Sequence, residues 1–205
     1  MAYNRRTFQK NVLTGMAQYV RKAILSEKVY TAARQMTSGC ESKDDLCELQ
    51  AVFESVKHGN ENVVNKSGRP YFTKGLRYVS DPAIADFHVT PEKMLSQCEI
   101  GACAEDCDSH AMLIAALCGS LGFRVGIRGY GPEKRGVLTH VYAVVLTPKA
   151  IRMDEFGNPN QDDDRILGMD TTVRQSSLGW EPPPGEVLTA WIWHDKIQMV
   201  AGFHR

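Results

Sequence analysis

Apolar residues near the N-terminus fall at helical spacing. Phe8, Val12, Met16, Tyr19, Val20, Ala23 and Ile24 recur every three or four positions and form one stripe, which predicts an amphipathic helix. A second helix is predicted over 26–36 and ends at Ser38-Gly39. A third starts near Ser42-Lys43-Asp44-Asp45, where hydroxyl and acidic side chains suit the free N–H groups of a first turn. It carries Leu46, Leu49, Val52, Phe53 and Val56. Residues 58–75 are rich in Gly, Asn and Lys and read as an exposed loop. A short extended piece over 76–79 closes at Ser80-Asp81-Pro82, and Thr90-Pro91 opens a fourth helix over 90–97.

Beyond residue 108 the pattern is clearest. Residues 109–121 lack a breaker except Gly119, and Gly122 stands at a C-cap position. Residues 123–128 then alternate with period two, and Gly129-Tyr130-Gly131-Pro132 reads as a turn. Residues 137–146 are rich in β-branched side chains, 166–171 make a third strand, and 187–193 a fourth. Helices followed by strands predict an α+β fold in which a central helix packs on an antiparallel sheet. Residues 1–25 are expected as an N-terminal helix preceding a domain over 26–205.

Composition narrows the function classes. The 205 residues are 43% hydrophobic and 23% charged, as in ordinary globular chains. Lys+Arg and Asp+Glu each total 24, so no global field favours nucleic acid or an anionic membrane. The N-terminus has no apolar run of the kind that marks a secretory signal, and no stretch reaches the roughly 18 apolar residues of a membrane span. The expectation is a soluble cytoplasmic protein. For the six cysteines, Cys40, Cys47, Cys98, Cys103, Cys107 and Cys118, reduced thiols, metal ligation or catalysis are then expected rather than a disulfide framework, with a regulatory Cys98–Cys103 disulfide left open.

Candidate chemistry gathers at Cys107. Positions 107, 110, 111, 114, 118 and 121 share one helical face, so Cys107 occupies the N-terminal tip of the face toward the sheet. Free N–H groups at such a tip favour a thiolate and can bind an oxyanion. Glu105, Asp106 and Asp108 oppose this, because about half a charge at the helix end does not offset three carboxylates. An imidazole partner is therefore required. His140 at the start of one strand supplies it, and Asp170 on the next is placed to orient it, giving a Cys–His–Asp order.

These residues resemble a known family. Asp106-Cys107-Asp108 with Ala111 opening an apolar helix, Leu121-Gly122-Phe123, Thr139-His140-Val141-Tyr142, and Met169-Asp170-Thr171-Thr172 resemble the transglutaminase-like (papain-like) cysteine proteins. The segments 77–82 and 178–182 are similar to those of the bacteriophage and prophage members. The resemblance covers residues 26–185, and Glu105 departs from it where the family usually has Gly.

The resemblance implies a papain-like core and a triad of Cys107, His140 and Asp170. It also implies hydrolysis of, or transfer at, a peptide or peptidoglycan amide through an acyl-thioester, with no cofactor. Gln97, Asp108 and Trp180 are the candidates for oxyanion or substrate contacts. The expected partners are a peptide, protein or peptidoglycan substrate and other phage structural proteins, with neither nucleic acid nor membrane. The host cytoplasm or a virion would be its place.

Two rivals compete. One is a catalytically silent virion or assembly protein that keeps the fold as a binding module. The other is a zinc-binding structural domain using Cys98, Cys103 and Cys107, with His110 as a further ligand. Other residues have plainer readings. Cys118 is expected to pack in the core, and His110 to be a hydrogen-bonded core residue. Trp191 and Trp193 are expected in packing, and Asp162-Asp163-Asp164 in a solvated loop.

Overall fold

The computed structural model describes residues 5–80, 88–132, 137–147 and 166–204. In chain order the helical part comprises α1 (Arg5–Ala23), α2 (Glu27–Met36) and α3 (Asp45–His58). A small β-layer follows, with β1 (Asn60–Val64), β2 (Pro70–Phe72) and β3 (Arg77–Tyr78). Next come α4 (Pro91–Glu99), β4 (Ala104–Glu105) and α5 (Cys107–Ser120). The remainder is strand: β5 (Arg124–Pro132), β6 (His140–Leu146), β7 (Ile166–Met169), β8 (Gly185–Ile192) and β9 (Ile197–His204). The fold is mixed α and β, with helices gathered first and the main sheet last.

That sheet has five antiparallel strands in the order β7-β6-β5-β8-β9. On β6, Val141, Ala143 and Val145 point to the helix side, while His140, Tyr142 and Val144 alternate to the other. The helix α5 packs on β5 and β6 and is also touched by α1, α2, α3 and α4. Every residue from Asp108 to Cys118 is buried. The expectation of one apolar stripe is corrected accordingly. This helix is apolar around its circumference, as a helix enclosed on all sides must be. Fully burying side chains such as Leu113, Ile114 and Leu117 contributes roughly 1.5–3 kcal/mol each. Leu13, Met16, Ala17, Val20 and Ala23 of α1 belong to this same core.

Local rules explain the ends of α5. The Asp106 carboxylate accepts the Ser109 N–H at 3.3 Å, an N-cap that leaves Cys107 as the first helical residue. Gly122 ends the helix at φ 100°, a left-handed conformation that a Cβ would strain.

Several expectations require correction. Residues 58–75 are not a featureless loop but carry the β1–β2 hairpin, whose polar sequence fits because only Val63 of β1 is buried. Residues 129–132 do not turn. They continue β5, all four pairing with β8 and residues 129 and 130 also with β6, because Gly129 and Gly131 let Leu138 and Val137 lie directly against the backbone. Strand β9 was not predicted. It is an edge strand paired along the whole of β8, with Ile197 and Met199 turned toward the core.

Among the cysteines, the Cys40–Cys47 bond departs from expectation, and the Cys98–Cys103 bond takes the alternative left open. Cys40–Cys47 and Cys98–Cys103 are disulfides, with Cα–Cα separations of 5.7 and 4.2 Å, and Cys107 and Cys118 are free. Short spacing explains both pairs, since each joins a turn to a neighbouring helix. No helix among the described residues is long and apolar enough to cross a membrane. Asp81, Pro82 and the acidic run Asp162-Asp163-Asp164 lie outside the described residues.

Candidate active site

The head of β6 places His140 beside the segment that follows β7. His140 Nε2 and Asp170 Oδ2 are 2.6 Å apart, and the Asp170 side chain is wholly enclosed. The other carboxylate oxygen, Oδ1, accepts the Thr172 N–H at 2.9 Å and the Thr172 hydroxyl at 2.6 Å. Burial alone raises a carboxyl pKa, but the His140 hydrogen bond and charge, with the Thr172 donors, outweigh it and hold Asp170 below its ordinary value. Asp170 is thus an ionised carboxylate with fixed direction.

The Asp170 loop is anchored from a distance. Ser176 Oγ donates to the Asp170 carbonyl. Lys57, at the end of α3, donates through Nζ to the Val173 carbonyl at 3.0 Å, to Ser176 Oγ at 2.6 Å and to the Ser176 carbonyl. Burial lowers the Lys57 pKa, and the charges of Asp170 and Glu54 work in the opposite direction.

A second set of contacts backs the imidazole. The rings of His140 and Tyr142 stack, with centroids 5.9 Å apart and planes 17° from parallel. Tyr142 donates its hydroxyl to Glu181, whose other oxygen lies 3.3 Å from Arg128 Nη1. Arg128 Nε in turn donates to Thr189 Oγ1 at 3.0 Å. The cross-strand register of Tyr142, Arg128 and Thr189 makes this row possible. Gly168 allows the 180–181 segment to lie against β7, because a Cβ there would meet the Trp180 carbonyl and the Glu181 carboxylate.

Cys107 approaches from the helix tip. Its sulfur receives the backbone N–H of Val141, the residue after His140. The thiol itself donates to Asp108 Oδ1 at 3.6 Å, and no hydrogen bond joins it to His140 among the described residues. Burial pushes the thiol pKa up to about 12, helped by the Asp108 charge and, less, by Asp106; only the Val141 N–H acts downward. At rest Cys107 is therefore a protonated thiol.

The remaining candidates lie as follows. Asp108 is buried, with one oxygen toward the Cys107 thiol and the other 3.1 Å from His88 Nδ1. A carboxylate in that place repels an oxyanion rather than holding one, so Asp108 takes no oxyanion role. Gln97 sits in the last turn of α4, where its backbone carbonyl accepts the Ile100 and Ala102 N–H groups and its buried Oε1 has no partner among the described residues. Trp180 is half-buried, and its backbone N–H donates to the Ser177 carbonyl. It is Glu181, the next residue, that reaches toward the site through Tyr142.

His110 Nδ1 lies 3.1 Å from Thr171 Oγ1 in the core, and burial pulls its pKa down to about 4 against weaker upward pulls from the Arg77 backbone, Asp170 and the Glu105 backbone. Cys118 is in the core against Met169.

The zinc-domain expectation is overturned at two of its three ligands. Cys98 and Cys103 are bonded to each other, and a disulfide sulfur is no thiolate ligand. Asp106, Cys107 and Asp108 do bring three potential ligand atoms within 4.8 Å of one another. Asp106 is used as the α5 cap and Asp108 faces His88, so these groups are already engaged.

Sequence reasoning missed Thr172, Lys57, Glu181 and His88. The Asp170-Thr171-Thr172 run did carry a signal for one of them, because Asp favours accepting the N–H two residues on. Lys57 and His88 have none, being distant in sequence from what they touch. A scan of the chain against known protein families finds no match, and neither curated proteins nor solved structures give one.

Proposed function

We propose that the chain is a transglutaminase-like cysteine acyl-transfer enzyme with a papain-like core, in which Cys107 is the nucleophile, His140 the base and Asp170 the group that orients it. The observation that carries this reading is the 2.6 Å contact between His140 Nε2 and an ionised Asp170, made one residue from the N–H that reaches the Cys107 sulfur. With Nε2 engaged, Nδ1 is the nitrogen left to accept a proton.

The raised thiol pKa decides the form of the mechanism. A standing thiolate is not the resting state, so the thiol turns from Asp108 toward His140 and loses its proton to Nδ1 as the sulfur–carbonyl bond forms. N–H groups of the first turn of α5, other than the Ser109 and His110 N–H groups that Asp106 takes, receive the oxyanion. Collapse breaks the amide C–N bond, His140 returns the proton to the leaving amine, and water or a second amine resolves the thioester. The substrate class that fits the resemblance is a peptide or peptidoglycan amide, with a phage or prophage as the source. The rival reading, a silent virion or assembly protein built on the same fold, differs in a measurable way.

The test is alkylation of Cys107 by iodoacetamide, mapped by peptide mass spectrometry, together with acyl transfer from p-nitrophenyl acetate. His140→Ala is expected to slow both at neutral pH by at least about tenfold. Equal rates in the variant and the wild type would sink the catalytic reading and favour the binding module.

A further inference from the structure

The proposed nucleophile sits against the wrong charge. Asp108 Oδ1 is 3.6 Å from the Cys107 sulfur, and an uncompensated carboxylate at that distance works against every thiolate that forms. The fold places a histidine on its far side. His88 Nδ1 is 3.1 Å from Asp108 Oδ2, with the two side chains only 20% and 12% exposed. The position is fixed from the backbone, since the N–H of the next residue, Val89, donates to Ser109 Oγ at 3.2 Å. His88, Asp108 and Cys107 therefore form a continuous chain along the first turn of α5.

We propose that His88 is a positioning residue for Cys107: its imidazolium faces Asp108, cancels the carboxylate charge and turns Oδ1 into a neutralised acceptor beside the thiol. This rests on the reading of Cys107 as nucleophile and deepens it. His88 does not touch the reacting atoms. It acts through Asp108, and its effect disappears when Asp108 carries no charge.

The chemistry favours histidine over a permanent cation in this place. An imidazole is short enough to reach the enclosed Asp108 carboxylate without opening the helix tip. Other titratable groups belong to the elements that meet here. They are Asp106 and His110 on α5, Glu105 on β4, Arg77 on β3, His140 on β6, and Asp170 after β7. Of these, Asp106 adds to the repulsion on the thiolate, while the Val141 N–H opposes it.

The experiment is a double-variant cycle on the full chain, reading the iodoacetamide rate at Cys107 as a function of pH. His88→Gln is expected to raise the apparent thiol pKa and slow alkylation at neutral pH, tenfold for each pH unit. Asp108→Asn is expected to lower the apparent pKa and speed alkylation. In the Asp108→Asn background, His88→Gln is expected to change the rate by less than about twofold. A silent His88→Gln in the wild-type background, or an equal slowing in both backgrounds, overturns the proposal. Should His88→Gln fail to fold, His88→Asn read in the same two backgrounds decides, and no slowing in the wild-type background rejects the idea. A failure here with His140→Ala still slowing the reaction leaves the triad standing; a silent His140→Ala removes the triad itself.

Discussion

The two walls of the site are built on opposite electrostatic terms. On the strand side, Asp170 is charged and each carboxylate oxygen has donors, from His140 and Thr172. Its pKa lies below the ordinary value even though burial acts the other way. On the helix side, Cys107 is half-buried between Asp108 and Asp106, and its thiol is pushed up to about 12. One wall is assembled around a charge; the other holds its reactive group neutral. In the proposed mechanism the proton acceptor for Cys107 therefore stands on the strand side, because the helix end supplies only about half a charge.

The largest expected effect breaks the strand wall. Asp170→Asn keeps the shape but removes the charge that orients the imidazole, and turnover of p-nitrophenyl acetate is expected to fall by about 10³–10⁴-fold, as for the equivalent change in serine triads. A fall of less than tenfold would separate His140 from Asp170 functionally.

Next comes His110, buried between the walls. Its folded pKa of about 4 lies below the ordinary 6.5, so the unfolded chain binds the proton first as pH falls. The stability from keeping this ring neutral is complete above pH 6.5 and is lost as pH drops from there through about 4. Chemical denaturation across that window is expected to show a loss of about 3 kcal/mol. His110→Gln is expected to flatten the slope, and an unchanged slope would assign it to other groups.

Lys57 tests how the strand wall is held. Lys57→Met leaves the Val173 and Ser176 acceptors without their donor, and a loss of about 2 kcal/mol in denaturant unfolding is expected. The same variant is expected to weaken acyl transfer, because the Asp170 loop loses its clamp.

The smallest effect is Thr172→Val, which removes one hydroxyl donor and keeps the N–H. A cost of about 1 kcal/mol and a modest rise in the Asp170 pKa, read by carboxyl NMR titration, are expected. No change in either would mean that the backbone N–H and His140 suffice.

Much of this was legible in the residues. A period-3.6 stripe located α1 and apolar spacing α3, while cap, proline and glycine signals and the lack of breakers located α2, α4 and α5. Alternation located the first part of β5, and a run of β-branched residues located β6. Glycines misled where tertiary contact overrode their turn preference: Gly129 and Gly131 lie within β5 because neighbouring chain must pass close by. The polar β1 was hidden because a two-stranded ribbon with one buried residue carries almost no hydrophobic signal.

For the site, the sequence by itself determined the order Cys107, His140, Asp170 and the crowding of carboxylates around Cys107. Chemical type and local helix geometry are written in neighbouring residues. Only the tertiary structure decided which carboxylate faces the thiol, which oxygen of Asp170 meets His140, and that Lys57 reaches the loop after Asp170 while His88 reaches Asp108. Those outcomes depend on contacts such as Lys57 with Ser176, between residues far apart along the chain, which are set by packing around the buried α5 rather than by local spacing.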